Sequence, residues 1–282
     1  VTRDLTGPGT AEARWRDSAF LAALPRVAPA DVRPSGRAVV VAPHPDDETL
    51  GAGGTLAAWA SGAEPLDLVV VAVTDGEASH PDSPTLGREE LAVRRDEERR
   101  RALAALGLDD AAPGDAAPGD VTPADAAPRR STVTVVRAGL PDGGVAGHRG
   151  ALTEVLDDVL HPGDTVLAPV TGDGHPDHDV VAEVAADAAD RHGVALWRYA
   201  IWLWHWADPL TTDDAGTPAV PHDDAVAVTL PEAALRAKQD AVACFTTQVQ
   251  PLSADPRDAS ILPPEVLARL LRDVEVLWRT GP

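Results

Sequence analysis

Short apolar runs recur along this 282-residue chain at the spacing of strand–helix alternation. Arg37-Ala38-Val39-Val40-Val41-Ala42 follows the turn residues Pro34-Ser35-Gly36 without a polar break, the pattern of a strand covered on both faces of a parallel sheet. Leu66–Thr74, Ser131–Ala138, Thr165–Ala168 and Asp224–Leu230 read as further strands. Helical periodicity predicts helices over 10–24, Leu50–Ser61 (closed by Gly62), Leu86–Leu106 (stopped by Gly107), Gly150–Leu160, His178–Arg191, Glu232–Phe245 and Pro264–Trp278. Trp197–Trp206 reads as an aromatic strand, with alternation setting Trp202, Trp204 and Trp206 on one face. The alternation predicts an α/β fold, a Rossmann-like three-layer sandwich around a mostly parallel sheet. Residues 1–30 read as an N-terminal helical extension and 31–282 as one domain. The Ala/Pro/Asp/Gly segment 109–130, with its partly repeated AAPGD unit, reads as a surface insertion, because strands and helices resume directly after it.

Composition narrows the function classes. The 45 acidic residues against 24 basic ones give a net charge of −21, which repels nucleic acid and anionic membranes. The single cysteine, Cys244, excludes an internal disulfide framework and a Cys-based zinc finger; its apolar neighbours predict a buried, inert thiol. No apolar run approaches the ~18–20 residues of a membrane span, and no leader pattern opens the chain. A soluble cytoplasmic protein with a small-molecule partner is the expectation, with homo-oligomerisation left open.

Polar clusters fall at the carboxyl ends of the predicted strands, where α/β folds build their sites. After the first strand comes Pro43-His44-Pro45-Asp46-Asp47-Glu48, and after the fourth Gly172-Asp173-Gly174-His175-Pro176-Asp177-His178-Asp179. Two imidazoles and a carboxylate brought together suit a catalytic zinc with three protein ligands and open positions. His44, Asp47 and His178 are the candidate ligands. Asp46 then takes a proton from water acidified by the cation, and His175 faces the developing oxyanion and protonates the leaving amine. A two-His, one-carboxylate set also suits ferrous iron in a non-haem oxygenase, but Asp46 and His175 are superfluous there. Gly51-Ala52-Gly53-Gly54 lacks the full spacing of a dinucleotide-binding loop.

PHPDDETLGAGG together with GDGHPDH closely resembles the PIG-L / LmbE-like family of metal-dependent de-N-acetylases, over about Val39 to Pro251. The resemblance implies a zinc-dependent (or ferrous or other divalent-metal) hydrolase that removes an N-acetyl group from an N-acetylglucosamine-type sugar conjugate. A mycothiol-conjugate-type amidase and a natural-product deacylase use the same scaffold and are its alternatives. By resemblance, His44, Asp47 and His178 hold the metal, Asp46 is the base and His175 steadies the tetrahedral intermediate. Arg95, in the Arg-x-x-Glu pattern completed by Glu98, is expected to reach the sugar. Asp142 is expected to bond sugar hydroxyls, and Lys238 and Gln248 fit a late Lys…Thr-Gln signature near the site. His80 is a further candidate for the cleft wall, whereas His148, His161, His192 and His222 read as structural. The Trp-rich stretch offers a surface on which a sugar could stack.

Overall fold

In chain order the elements are α1 (Glu12–Arg16), α2 (Ala19–Ala23), β1 (Arg26–Val27), β2 (Ala38–Ala42), α3 (Asp47–Ala60), β3 (Asp67–Thr74), α4 (Arg88–Ala105), β4 (Asp109–Asp110), β5 (Thr132–Leu140), α5 (Arg149–Val159), β6 (Thr165–Pro169), α6 (Pro176–His192), β7 (Ala195–Tyr199), α7 (Leu203–Trp206), β8 (Ala225–Thr229), α8 (Glu232–Ala243), α9 (Thr246–Val249), α10 (Pro264–Leu270) and β9 (Val274–Thr280). This computed structural model describes residues 3, 5, 7–110, 131–210, 220 and 223–280. The predicted insertion from residue 111 onward, and His222, lie outside them.

The described strands form one nine-stranded sheet in the order β1-β8-β9-β7-β6-β2-β3-β5-β4. Only β9 runs against its neighbours; every other pairing is parallel. Val39 and Val41 of β2 face one apolar layer, with Leu152 and Leu156 of α5 and Val181 and Val184 of α6. Ala38, Val40 and Ala42 face the other, with Leu56 of α3, Leu103 of α4 and Ala241 of α8. That alternation makes the three layers. β2 pairs with β3 on one side and with β6 on the other, so the connections leaving β2 and β6 diverge across a switch point. A crevice opens there at the strand ends, and the two His-Pro-Asp segments meet in it.

Three elements differ from the sequence reading, each because a tertiary partner overrides local pattern. Residues 264–278 are not one helix: α10 ends at Leu270, and Val274–Thr280 becomes β9, inserted between β7 and β8. The Trp-rich stretch is not one strand. Asp173 accepts the backbone N–H groups of Ile201, Trp202 and Leu203, and the chain turns into α7. The N-terminal region is two short helices broken at Ser18, whose hydroxyl accepts the Leu21 N–H. Trp15 is fully buried, donates to the Trp204 carbonyl and sets its ring edge-on to Trp204. Trp15, Phe20, Leu21 and Leu24 join the main apolar core, and β1 pairs with β8. Cys244, expected to be buried, is only partly so and caps α8. Among the described residues no helix is long and apolar enough to cross a membrane.

Candidate metal and catalytic site

β2 ends at Ala42, and the Pro43–Asp46 turn delivers the chain straight into α3, whose first residue is Asp47. The second segment has the same construction. Pro176 occupies the first turn of α6, where its missing N–H costs nothing, and His175 is the N-cap, its Nδ1 accepting the Asp177 N–H at 3.2 Å.

These two turns bring three donor atoms together. His44 Nδ1 lies 3.2 Å from His178 Nε2, and Asp47 Oδ2 lies 3.2 Å from each of them. An equilateral triangle of that size matches the edge of about 3.3 Å expected for three tetrahedral ligands at zinc bond lengths of about 2.0–2.1 Å. The second ring nitrogens carry the proton bookkeeping. His178 Nδ1 lies 2.8 Å from Asp173 Oδ2, which keeps a proton there and leaves Nε2 a free lone pair. His44 Nε2 makes no well-aligned hydrogen bond but faces Asp142 Oδ1 at 3.2 Å and Asp177 Oδ2 at 3.5 Å. Carboxylates behind metal-bound imidazoles fix tautomer and ring orientation in this way. The donor set therefore fits a divalent cation. His175 stands beside the triangle, its ring centre 4.8 Å from that of His44 and 5.1 Å from that of His178.

The electrostatics follow from burial and proximity. Burial disfavours the charged form of both histidines of the triangle, yet the surrounding carboxylates outweigh it. His44 is held well above its ordinary value by Asp142, Asp177 and Asp47, and His178 is pushed up to about 9 by Asp47 and Asp173. Asp47 is buried too, but the two imidazoles hold it far below the usual carboxylate range. Asp46, next in sequence, goes the other way: burial raises it to about 6 against the pull of Arg95. His175 is pushed down to about 4 by burial and by His44 and His178. Two adjacent aspartates are thus pushed in opposite directions, Asp47 down by the imidazoles and Asp46 up by burial.

The expected substrate residues divide. Arg95 lines the cleft, but its guanidinium is committed to Asp46 Oδ2 at 2.9 Å and to the Gly76 carbonyl at 2.9 Å. Gly76 has φ +66°, a conformation that favours glycine, and a Cβ there would sit 2.1 Å from Arg95 Nη1 and displace the guanidinium. Asp142 also lines the cleft; beyond facing His44, it accepts the Ala78 N–H at 2.8 Å, while Glu77 accepts the Asp142 N–H. Gln248 reaches the cleft, donating to Ser79 and Thr247. Glu98 accepts the Thr246 hydroxyl and the N–H and hydroxyl of Thr247, which seats α9 and with it Gln248. Lys238 is not in the cleft: it is buried against Glu275 and the Leu50 carbonyl. His80 also faces away, bonded to the Ala259 carbonyl. His148 and His192 are tied to Gly144 and Asp157. Of the tryptophans in the Trp-rich stretch, only Trp202 lines the cleft, whereas Trp204 is buried in the core.

The sequence reading passed over Asp173 and Asp177 as site residues. Asp177 accepts the N–H groups of Gly143 and Val145, pinning the loop that presents Asp142. For Asp173 the signal is an aspartate five positions before a metal-type histidine, since such histidines need an acceptor behind them; Asp177 stands behind His44 of the other segment and carries no such local signal.

The cleft holds about 210 Å³. Its lining is part polar (Asp46, Arg95, Asp142, Ser79 and Gln248) and part apolar (Leu50, Ile201, Trp202, Ile261 and Leu262). Larger clefts of about 510 and 480 Å³ lie along α4 and behind Trp206. Neither is lined by a histidine, and convergent polar groups outweigh size in locating chemistry.

Comparison with known proteins points the same way. The model of the PIG-L family, described as GlcNAc-PI de-N-acetylase, matches residues 39–189. A 1D-myo-inositol 2-acetamido-2-deoxy-alpha-D-glucopyranoside deacetylase from Mycobacterium sp. (strain KMS) is 31% identical over 178 residues, 60% of this chain and 54% of the relative. The protein of the same name from Tsukamurella paurometabola is 30% identical over 189 residues, 60% of this chain and 61% of the relative. The chain thus spans little more than half the length of these curated relatives. Among solved structures, a triple mutant of a deacetylase of the teicoplanin biosynthetic pathway superposes with a TM-score of 0.53 at 18% identity, over 86% of this chain and 97% of that one. That likeness carries the fold.

Proposed function

The chain belongs to the PIG-L (GlcNAc-PI de-N-acetylase) family, and from that premise we propose that it is a zinc-dependent amide hydrolase removing an N-acetyl group from an N-acetylglucosamine-type sugar conjugate. The observation that carries the reading is the triangle of His44 Nδ1, His178 Nε2 and Asp47 Oδ2, with edges of 3.2 Å. These three residues hold the cation, and ferrous iron or another divalent ion fits the same donors. A dication held there supplies Lewis acidity to the amide carbonyl and acidifies water at neutral pH.

Asp46 accepts the proton of the attacking water. Arg95 orients its carboxylate, and a value near 6 leaves it both ionised at pH 7 and able to give the proton back. His175 stabilises the oxyanion. Because its Nδ1 accepts the Asp177 N–H, the neutral ring carries its proton on Nε2 as a donor. His175 then delivers a proton to the departing amine, with Asp46, which holds the proton taken from water, as its source. The polar part of the lining meets sugar hydroxyls, and Trp202 with Ile261 covers the apolar sugar face.

Acetate release from a panel of N-acetylglucosaminyl conjugates, with zinc or ferrous iron restored to stripped protein, tests the proposal. Metal-dependent acetate release is expected. Oxygen consumption with iron, or tight sugar binding without turnover, would overturn it.

A further inference from the structure

The helix that carries Asp47 is gripped halfway along by two buried charges from the far end of the chain. Lys238 of α8 and Glu275 of β9 are 1% and 4% exposed, with their charged atoms 2.7 Å apart. Both engage backbone atoms of α3. Lys238 Nζ donates to the Leu50 carbonyl at 2.8 Å. Glu275 Oε1 accepts the Gly54 N–H at 2.8 Å, and Oε2 accepts the Thr55 N–H at 2.8 Å and its hydroxyl at 2.6 Å. Leu50 is one turn from the site: its N–H donates to the Asp46 carbonyl at 2.8 Å.

Apart from hydrogen bonds at its C-terminal end, from the Ser131 hydroxyl to the Ala60 carbonyl and from the Trp59 indole to the Pro29 carbonyl, the body of α3 is otherwise held by packing. A Cβ on Gly51 would lie 2.2 Å from the Tyr199 ring, and one on Gly54 would lie 2.4 Å from Leu230. Such packing sets how closely the helix approaches the sheet, but dispersion and apolar burial are non-directional. A buried ion pair adds little net stability compared with apolar residues of the same volume. What this pair contributes is direction, because hydrogen bonds to three consecutive-turn backbone groups fix rotation and axial register.

We propose that Lys238 and Glu275 are positioning residues for the site: they set the register of α3 and, through its first turn, the placement of Asp46 and Asp47. Both lie beyond residues 39–189, the part matched by the family model, so these two residues support the site from behind, without entering the cleft that Gln248, Ile261 and Leu262 line. The metal and turnover consequences rest on the ligand assignment proposed above; the effect on α3 itself does not.

The test is the double variant Lys238→Met/Glu275→Gln, which removes both charges at nearly constant volume and keeps an acceptor for α3. Leu156→Ala, buried on the opposite face of the sheet, serves as the control for general destabilisation. Three quantities are measured in each: amide hydrogen exchange across residues 47–60, zinc Kd by competition with a chelating dye, and kcat and KM for acetate release. In the double variant, exchange at Gly54 and Thr55 accelerates beyond that of the control. Zinc Kd weakens about tenfold and kcat falls about tenfold with KM held within about twofold. Leu156→Ala leaves zinc Kd and kcat within about twofold of wild type. A folded double variant with wild-type exchange in α3, zinc Kd and kcat overturns the proposal, as does a control that moves all three equally. If the double variant does not accumulate folded, Lys238→Arg is read by the same measurements and the same criteria. If wild type binds zinc but releases no acetate, the functional reading fails while exchange and zinc Kd still judge the positioning role.

Discussion

Asp173→Asn is the sharpest probe of how the site is supported. The wild-type carboxylate is fully buried and accepts four hydrogen bonds: Ile201 and Leu203 N–H on Oδ1, both at 3.0 Å, and Trp202 N–H (3.0 Å) with His178 Nδ1 (2.8 Å) on Oδ2. Asparagine has one acceptor oxygen, so however the amide turns, two donors lose their partner. Each buried orphan costs about 1–3 kcal/mol, giving about 2–6 kcal/mol out of the ~5–15 kcal/mol that holds a domain folded. If the NH2 group faces His178, the imidazole can accept it only by moving its proton to Nε2. The lone pair that completes the donor triangle is then lost, and metal affinity falls about 10- to 100-fold, about 1.4–2.7 kcal/mol. Competition with a chelating dye measures the affinity, and thermal unfolding with and without zinc measures the stability. A zinc Kd within about threefold of wild type, together with a Tm unchanged to within about 2 °C, would refute both halves of the reasoning.

Other expectations follow from the same geometry. Asp46→Asn lowers kcat by about 10²–10⁴-fold while zinc content stays at the wild-type level; loss of zinc from this variant would recast Asp46 as a ligand. Since Asp46 must be ionised to accept a proton and burial raises it to about 6, kcat falls as pH drops through that region, shifted acidward by the bound dication, and a pH profile of wild type shows this limb. In metal-free protein the raised value of His178, about 9, gives stability that is full below the unfolded value near 6.5 and lost as pH rises through 9. Its Tm therefore falls between pH 7 and 9, whereas zinc affinity rises over the same range because the cation displaces a proton; pH-dependent unfolding scans and zinc titrations check both signs. Trp202→Ala removes part of the apolar lining at the cost of about 0.5–1.5 kcal/mol, about 2- to 10-fold in KM with kcat nearly unchanged; an unaltered KM would take Trp202 out of substrate binding.

The layered fold and the convergence of the two His-Pro-Asp segments were legible because both rest on local pattern. Unbroken Val runs mark strands covered on both faces, and the chemistry follows directly after strands β2 and β6. What the sequence hid was decided by partners far away in the chain. Residues 274–280 have strand composition, yet continue a helical run from Pro264, and only pairing with β7 and β8 separates the two. Trp202–Trp206 alternates like a strand, but a carboxylate 28–30 positions earlier claims its N–H groups. Lys238 matches a family signature near the site, and a signature records proximity without saying whether a side chain reaches the cleft or the helix behind it. The supporting aspartates, Asp173 and Asp177, are invisible to periodicity because a hydrogen-bond acceptor has no spacing rule.

The position of β9 has a consequence for biogenesis. It comes after β1 to β8 in chain order, yet among the described strands it is the sole bridge between β8 and β7, and so between the β1-β8 pair and the rest of the sheet. On the ribosome, strands β2 to β7 can assemble as they emerge, but β1 and β8 stay unattached until residues 274–280 are released. During that interval the nascent chain carries two bare strand rims, each able to template pairing with a neighbouring chain. A stop codon ahead of residue 274 would therefore do more than trim the end: it would leave the molecule permanently unzipped along its middle.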